Sequence, residues 1–144
     1  MPTCFVIQPF DGGAFDKRYD DVFVPAIRAA GLEPYRVDRD PAVVIPIEEI
    51  EDGIRRADLC LADISLPNPN VWFEVGFTIA AGKPLVLVCS YDSSRKFPFD
   101  IQHRAVIVYR TESASDFQTL AGQITERLKA ALRKEDTLEK LAVS

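Results

Sequence analysis

The sequence is poor in the residues that build metal centres and disulfide frameworks. Its 144 residues include only three cysteines and one histidine. The cysteines, Cys4, Cys60 and Cys89, lie in separate apolar runs. An odd number of cysteines in such runs is typical of reduced core thiols in a cytoplasmic protein. The sequence therefore predicts neither a disulfide framework nor a bound metal.

Long apolar segments are also missing. No stretch approaches the roughly 18 uninterrupted apolar residues of a membrane-spanning helix, and the opening MPTCFVIQPF lacks the basic start of a secretory signal. Acidic residues outnumber basic ones by 22 to 17, which gives a net charge of −5. This balance argues against nucleic-acid polymers and anionic membranes as partners, although it still allows a small anionic ligand. We expect a cytoplasmic protein.

Several common catalytic motifs are absent as well. The chain has no Walker phosphate loop, no G-x-G-x-x-G, no G-x-S-x-G elbow and no H-E-x-x-H. The single histidine, His103, follows a polar loop and precedes a predicted strand, where a surface or capping role is commoner than that of a general base. Catalysis by this chain would therefore depend on carboxylates.

The composition favours one domain that spans residues 1–144. Hydrophobic residues make up 47% of the chain and charged residues 27%, and a chain of this length buries about two-thirds of its unfolded surface. Apolar runs predict five strands, at 4–9, 32–37, 58–64, 85–89 and 105–109. Helical spacing predicts helices at 16–30, 47–57, 69–81 and 117–132, the first with a possible kink at Pro25. We expect the polar tail at 135–144 to fray or to pack on a neighbour.

Strands that alternate with helices predict a parallel sheet covered by helices on both faces. Five such strands would form a flavodoxin-like or Rossmann-like three-layer sandwich with strand order 2-1-3-4-5. Ligands of these sheets bind beyond the carboxyl ends of the first and third strands, where the order reverses. The segments that follow those strands, residues 8–13 and 63–74, are therefore the predicted site.

Glu74 is the most unusual residue in this region. It is the only charge in the apolar segment VWFEVGFTIAA at 71–81, and a carboxylate is rarely buried without a partner or a task. Asn70 and Thr78 lie one helical turn away on the same face. We predict that hydrogen bonds from Asn70 or another cleft group keep Glu74 ionised. The alternative is a structural role, in which a buried arginine or backbone groups satisfy Glu74, or in which Glu74 lies on a narrow solvated stripe of the helix.

Further candidates lie at the same edge of the predicted sheet. Asp63 ends the third strand, where it can act on a ligand or cap a loop. Arg36 and Asp38 end the second strand and could hold a ribose hydroxyl or a phosphate, or form a surface ion pair. The turn after the first strand would offer backbone amides and one amide side chain, and the loop around Asp100 could fold over the cleft. The predicted binding residues are Gln8, Phe10, Asp11, Gly12, Arg36, Asp38, Asn70 and Asp100.

Three segments of the chain resemble the nucleoside 2-deoxyribosyltransferase-like family. They are FVIQPF at 5–10, ADISLPNPNVWFEVGFTIAAGKPLVLV at 62–88 and PFDIQHR at 98–104. The likeness covers the chain to about Tyr109, and its most specific part runs from Asn68 to Pro84. That family is structurally related to bacterial TIR domains that cleave the nicotinamide bond of NAD.

The resemblance implies roles for two carboxylates. The family's motif glutamate attacks the anomeric carbon of the sugar, or contacts the ribose in TIR domains, and it matches Glu74. The acidic residue before the motif helps to place the sugar or base, and it matches Asp63. Both would be catalytic residues. The chain departs from the transferases at 67–70, where it has Pro-Asn-Pro-Asn and they carry Asp-x-Gly.

The resemblance implies an N-glycosidic bond hydrolase or transferase that acts on a nucleoside, a nucleotide or NAD. No cofactor is implied, since NAD would be a substrate. Nicotinamide leaves NAD as a neutral molecule, whereas a neutral base must be protonated by an acid such as Asp63 or Asp100. The alternatives are a nucleotide-sensing, TIR-like binding module without turnover and, less favoured, a protein-interaction domain that shares only the fold.

The resemblance also implies a homo-oligomer, because relatives often complete their site from a neighbouring subunit. Four aromatic residues would suit such an interface. They are Phe10, Phe15, Tyr91 and Phe97.

Overall fold

The structure, a computed structural model, describes residues 1–9, 11–37, 47–92 and 105–143. Some residues singled out by the sequence lie outside these ranges, namely Phe10, Asp38, Phe97, Asp100 and His103.

Five parallel strands form one sheet in the order β2-β1-β3-β4-β5, which confirms the predicted architecture. The strands are β1 (Thr3–Ile7), β2 (Glu33–Tyr35), β3 (Leu59–Asp63), β4 (Leu85–Ser90) and β5 (Val106–Tyr109). The order reverses between β1 and β3, where Phe5 pairs with Cys60 and Ile7 with Ala62. Every residue of β3 is buried, as expected of a central strand covered on both faces.

Helices cover both faces of the sheet. They are α1 (Ala14–Arg18), α2 (Val24–Ala29), α3 (Ile47–Arg56), α4 (Pro69–Ala80) and α5 (Ala114–Val143). A π-helical turn, Tyr19–Phe23, joins α1 to α2, and the Val24 N–H donates to the carbonyl of Tyr19 five residues earlier. The next residue, Pro25, has no N–H to donate. The sequence predicted a kink at Pro25, and the structure has a π-helical turn just before this proline.

The sheet divides the hydrophobic core into two parts. Side chains alternate across β3, so Leu59 and Leu61 belong to one core and Cys60 and Ala62 to the other. The first core contains residues of α2 and α5, and the second contains residues of α3 and α4. By this alternation Asp63 continues the row of Leu59 and Leu61, whereas Glu74 belongs to a helix on the opposite face.

Helix α3 packs unusually close to the sheet. A Cβ atom added at Gly53 would lie 2.5 Å from the ring of Phe5 on β1. Only glycine permits this approach, because a Cβ at that distance would overlap the ring. The approach fixes α3 against β1, with the first turn of the helix beyond the carboxyl end of the strand.

Helix α4 begins and ends as the sequence predicts. The side chain of Asn68 accepts hydrogen bonds from the backbone N–H groups of Asn70, at 2.9 Å, and Val71, at 3.2 Å. Pro69 occupies the first turn, where its missing N–H costs nothing. Gly82, with φ of +70°, follows the helix. These end signals fix the helix register and therefore the position of Glu74.

The three cysteines are buried and free of disulfides, as predicted. Burial raises the pKa of the Cys60 thiol to about 12 and that of Cys4 well above its ordinary value. Both thiols are therefore protonated and unreactive at neutral pH. Of the helices that the structure describes, none combines the length and the apolar character needed to traverse a bilayer.

Two outer regions differ from the sequence expectations. Helix α5 continues to Val143, so residues 135–143 extend it, with Leu138 and Leu141 exposed. Phe15 is buried beneath the guanidinium of Arg18, 4.8 Å from its ring centroid. Phe15 is therefore not available for the interface proposed from the sequence, whereas Tyr91 is exposed. The homo-oligomer itself stays a prediction.

Candidate active site

A cavity of about 560 Å³ lies beyond the carboxyl end of β1, between the N-terminal ends of α3 and α4. Its polar lining comes from Gln8, which follows β1, and from Asn68, Asn70 and Glu74 at the start of α4. This is the position that the strand order predicts for a ligand. The volume is within the range of small-molecule sites.

The remaining wall of this cavity is largely apolar. Ile47 and Ile50 come from the first turn of α3, and Phe73 comes from α4. Ile47 and Phe73 are about half exposed, so they stand at the mouth of the cavity. Apolar walls with a few polar groups are typical of sites that bind small molecules.

Glu74 is the titratable residue of the described cavity lining. Among the described residues, no side chain donates a hydrogen bond to its carboxylate, and burial raises the pKa of Glu74 to about 7. Thr78, its neighbour one turn on, donates to the Glu74 backbone carbonyl at 2.8 Å rather than to the carboxylate. The group is therefore about half ionised at neutral pH.

The predicted hydrogen bond from Asn70 to Glu74 is wrong. Asn70 lines the same cavity but is exposed, and the bond it makes is that of its backbone N–H to Asn68. The Asn70 side chain is exposed to solvent, so no donor from the described residues opposes the desolvation that raises the pKa of Glu74. The alternative role, in which a buried arginine satisfies Glu74, finds no support either, because the buried Arg36 pairs with Asp16 at 3.0 Å.

Gln8 is the second polar group of interest, and it is only 4% exposed. Its Nε2 donates to the backbone carbonyl of Phe15 at 2.9 Å, while its Oε1 has no hydrogen-bond partner among the described residues. A buried acceptor without a donor is rare in folded proteins. Gln8 is therefore a residue of the cavity wall that also carries a buried, unsatisfied side-chain oxygen.

Asp63 has quite different surroundings. It is fully buried, and Tyr109 Oη donates to its Oδ2 at 2.6 Å. The Ser65 backbone N–H donates to Oδ1 at 2.9 Å, and the Ser65 hydroxyl donates to the same oxygen. Burial raises the pKa of Asp63, and these hydrogen bonds oppose the rise. Asp63 is not among the residues that line the Glu74 cavity.

The bonds to Asp63 belong to a larger group, which we call the Asp63 network. Arg18 Nη1 donates to Tyr109 Oη at 2.8 Å, and the Ser90 N–H donates to Ser65 Oγ at 2.8 Å. The guanidinium also lies over the rings of Tyr109 and Phe117, at 5.4 and 5.3 Å. The network therefore joins α1, α5 and the ends of β3, β4 and β5 on one face of the sheet.

The turn after β1 is used differently from the sequence expectation. Asp11 accepts from the N–H groups of Gly13, at 2.8 Å, and Phe15, at 3.2 Å. The Gly13 N–H in particular lowers the pKa of Asp11. Gly12, with φ of +61°, donates its N–H to Asp16 at 2.9 Å. These amides are occupied by carboxylates of the chain itself, so they serve the start of α1 and, contrary to the sequence expectation, are not free to bind a ligand.

Arg36 is likewise turned away from ligand binding. It is 1% exposed, its Nη2 lies 3.0 Å from Asp16 Oδ1, and its guanidinium lies 4.4 Å from the ring centroid of Tyr19. The sequence predicted a group that holds a ribose hydroxyl or a phosphate, or a surface pair. The structure shows an ion pair in which the Arg36 side chain is buried and the Asp16 side chain is partly exposed.

Of the predicted site residues that the structure describes, Gln8, Asn70 and Glu74 are brought together. Asp63, Asp11, Gly12 and Arg36 are not part of this cavity. The sequence did not single out Tyr109, Ser65 and Arg18 as partners of Asp63. A signal existed for one of them, since Tyr109 ends a strand at the same edge of the sheet.

Comparison with known proteins adds information on the fold. No protein-family model matches this sequence, and no curated protein matches it. The structure is similar to a CMP N-glycosidase of Clostridium botulinum, with 21% identity, a TM-score of 0.57, and coverage of 81% of this chain and 96% of that chain.

Two further solved structures belong to other classes. One is the TIR domain of a Toll-related receptor from Hydra magnipapillata, with 12% identity, a TM-score of 0.60, and coverage of 86% of this chain and 94% of that chain. The other is a flavodoxin-like domain from a Synechococcus protein, with 17% identity, a TM-score of 0.60, and coverage of 92% and 99%. These similarities establish the flavodoxin-like fold, and two of the three proteins are of the kinds that the sequence resemblance named.

Proposed function

We propose that this chain cleaves or transfers the N-glycosidic bond of a nucleoside, a nucleotide or NAD, with Glu74 as the catalytic residue. The observation that carries the proposal is a carboxylate without a described partner in a largely apolar cavity at the ligand-binding edge of the sheet. A buried carboxylate with a strongly shifted pKa in a cleft is a common mark of a catalytic group. The CMP N-glycosidase with the same fold adds support.

The chemistry requires only one carboxylate beside the sugar. The bond between the anomeric carbon and the base nitrogen breaks, and its electron pair leaves with the base. The positive charge that develops on the sugar is stabilised by ionised Glu74, or is quenched when a Glu74 oxygen bonds to the anomeric carbon. Water or an acceptor base then attacks that carbon and gives its proton to solvent. Where a bond to Glu74 has formed, it breaks in this step and its electron pair returns to the carboxylate.

The surroundings of Glu74 bear on the leaving group. A neutral purine or pyrimidine must gain a proton as it leaves, whereas the nicotinamide of NAD is already cationic and leaves as a neutral molecule. Asp63, one of the two acids expected from the sequence, is enclosed in its own network, and the other, Asp100, lies outside the described residues. The described lining of the cavity holds no other acidic side chain than Glu74. This arrangement favours NAD or another substrate with a cationic base.

A second candidate function is a nucleotide-sensing module without turnover. The shifted pKa of Glu74 favours it, because below pH 7 the group is mostly a neutral acid. A neutral carboxylic acid can donate a hydrogen bond to a ligand but cannot attack the anomeric carbon. The same cavity would then bind a nucleotide and leave it intact.

The test of the proposed function is base release. The protein is incubated with NAD, CMP, cytidine and deoxyadenosine at pH 8, and the released base is measured by chromatography. We expect release by the wild type and a rate lower by about 10³-fold or more in Glu74→Gln. Glu49→Gln, which changes an exposed glutamate on α3, is the matched control and should keep full activity.

The outcomes separate the two candidate functions. Binding of these compounds in calorimetry without any release supports the sensing module. Release that Glu74→Gln leaves unchanged would assign the chemistry to another residue. Neither binding nor release would overturn both functions.

A further inference from the structure

We infer that Gln8 is a specificity-determining residue of this site, whose side-chain oxygen accepts a hydrogen bond from a hydroxyl group of the substrate's sugar. The inference rests on the proposed function, since it places the sugar of a nucleoside or nucleotide in the Glu74 cavity. It adds the chemical group by which the cavity would recognise its ligand.

The orientation of the Gln8 amide is set by the protein. Its Nε2 donates to the carbonyl of Phe15 at 2.9 Å, and a carbonyl oxygen accepts only from a donor, so the amide cannot be reversed without losing this bond. The side chain is 96% buried, given its 4% exposure. The oxygen is therefore held on the side of the amide that faces away from Phe15.

The Gln8 oxygen lacks a donor within the described structure. A buried acceptor in this state has lost its hydrogen bonds to water without replacement, which destabilises the folded protein. A ligand group with an O–H or N–H that reaches this oxygen removes that penalty. Because Gln8 lines the cavity, a molecule bound there is the ligand best placed to supply the donor.

The other polar groups of the cavity indicate which donor fits. The side-chain oxygen of Asn68 already accepts hydrogen bonds from two backbone N–H groups. The Glu74 carboxylate, when it is ionised, can only accept hydrogen bonds. In the described lining there is no lysine or arginine. A phosphate brings negative charge and acceptors to this wall, whereas sugar hydroxyls bring neutral donors. The cavity therefore fits the sugar, and the phosphate of a nucleotide would lie outside it.

The test compares substrates with and without single sugar hydroxyls. The probes are CMP and NAD, each with its 2′-deoxy and 3′-deoxy form on the ribose of the scissile bond. Gln8→Met keeps the length and the burial of the side chain but removes the acceptor, and with it the Nε2 donor to the Phe15 carbonyl, so an effect on all substrates alike is expected beside the effect on the ratio. Because deoxy sugars differ in intrinsic reactivity, the informative quantity is the hydroxyl-to-deoxy ratio of kcat/KM in the wild type divided by that in Gln8→Met.

We expect this quotient to be about 10 to 100 for one of the two hydroxyls and close to 1 for the other. A purely structural role for Gln8 would lower kcat/KM for all substrates alike and leave the quotient near 1 at both positions, which would overturn the inference. Glu49→Gln, the exposed control on α3, should keep the wild-type ratio.

Two further readouts keep the inference testable when the first fails. If no base is released, the same ratios are taken from dissociation constants. A hydroxyl preference that Gln8→Met removes would then support the role of Gln8 in sugar binding, while the proposal that Glu74 is catalytic fails. If Gln8→Met does not fold, wild-type dissociation constants that ignore both hydroxyls overturn the inference. Base release without any hydroxyl effect would overturn the proposed role of Gln8 and would leave the catalytic role of Glu74 unaffected. Absence of both binding and release overturns the two together.

Discussion

Asp63 is a fully buried carboxylate and Glu74 a partly buried one, both near the same edge of the sheet, and their surroundings are opposite in character. Asp63 has donors on both of its oxygens, from Ser65 and Tyr109. Glu74 has no donor among the described side chains and lines a cavity instead. The pKa of both is raised by burial, so burial alone does not distinguish a structural carboxylate from a functional one. The presence or absence of donors does.

The comparison gives each carboxylate a different energetic role. The Asp63 network satisfies its charge, so removal of Asp63 leaves other buried groups without partners. The described residues supply no such hydrogen-bond donors to the Glu74 carboxylate. The folded state would therefore be more stable if this side chain carried no charge. A group that is kept at a cost to stability is a stronger candidate for chemistry than one that holds the fold together.

The largest expected effect is on the stability of Asp63→Ala. This change leaves the Tyr109 hydroxyl and the Ser65 amide buried without their acceptor, so the free energy of unfolding should fall by about 3–5 kcal/mol. Urea denaturation at pH 7 measures the loss. Tyr109→Phe keeps the carboxylate and removes one donor, so it should lose only about 1–2 kcal/mol. A loss below about 1 kcal/mol in Asp63→Ala would mean that the network contributes little, contrary to the comparison.

Glu74→Gln should change stability in the other direction. The folded pKa of about 7 lies above the ordinary value of 4.5, so the wild type loses stability as the pH rises between these values, because the unfolded chain releases its proton first. Glutamine cannot ionise and escapes this loss. At pH 8 the variant should be more stable by about 2–3 kcal/mol, and at pH 4 the difference should nearly vanish. Urea denaturation at several pH values measures it, and a difference independent of pH would contradict this account.

The smallest expected effect is on the pH dependence of turnover. Ionised Glu74 is the active form, so kcat/KM for NAD should rise about tenfold between pH 6 and pH 8, with a midpoint near 7. Asp63→Asn should keep this midpoint if it folds, because Asp63 does not line the cavity. A rate that falls over the same range would indicate that Glu74 acts as an acid.

The sequence predicted the fold well because spacing and alternation are local properties. Apolar runs and helical stripes predicted the five strands, and Asn68 and Gly82 predicted the ends of α4. These features depend on residues that are close in sequence. The strand order, and with it the edge that carries the site, followed instead from the order usual for five-stranded sheets of this class.

Hydrogen-bond partners were harder to predict because they depend on tertiary contacts. In the sequence, Asp63 and Glu74 both looked like isolated acids. No residue near Asp63 predicts its hydrogen bond from Tyr109, which lies 46 positions away. Asn70 lies one turn before Glu74, yet its exposed side chain makes no bond to the carboxylate. The alternation along β3 did contain one missed signal, since it places Asp63 on the face opposite α4.

The Asp63 network also constrains the order in which the protein can mature during synthesis. Its bond from Arg18 to Tyr109 spans 91 positions, and Tyr109 ends the last strand of the sheet. A nascent chain that has completed β4 can supply Asp63 with the donors of Ser65 but not with the hydroxyl of Tyr109. The addition of β5 therefore closes the structure, and a chain released before that strand carries a carboxylate that is only partly satisfied.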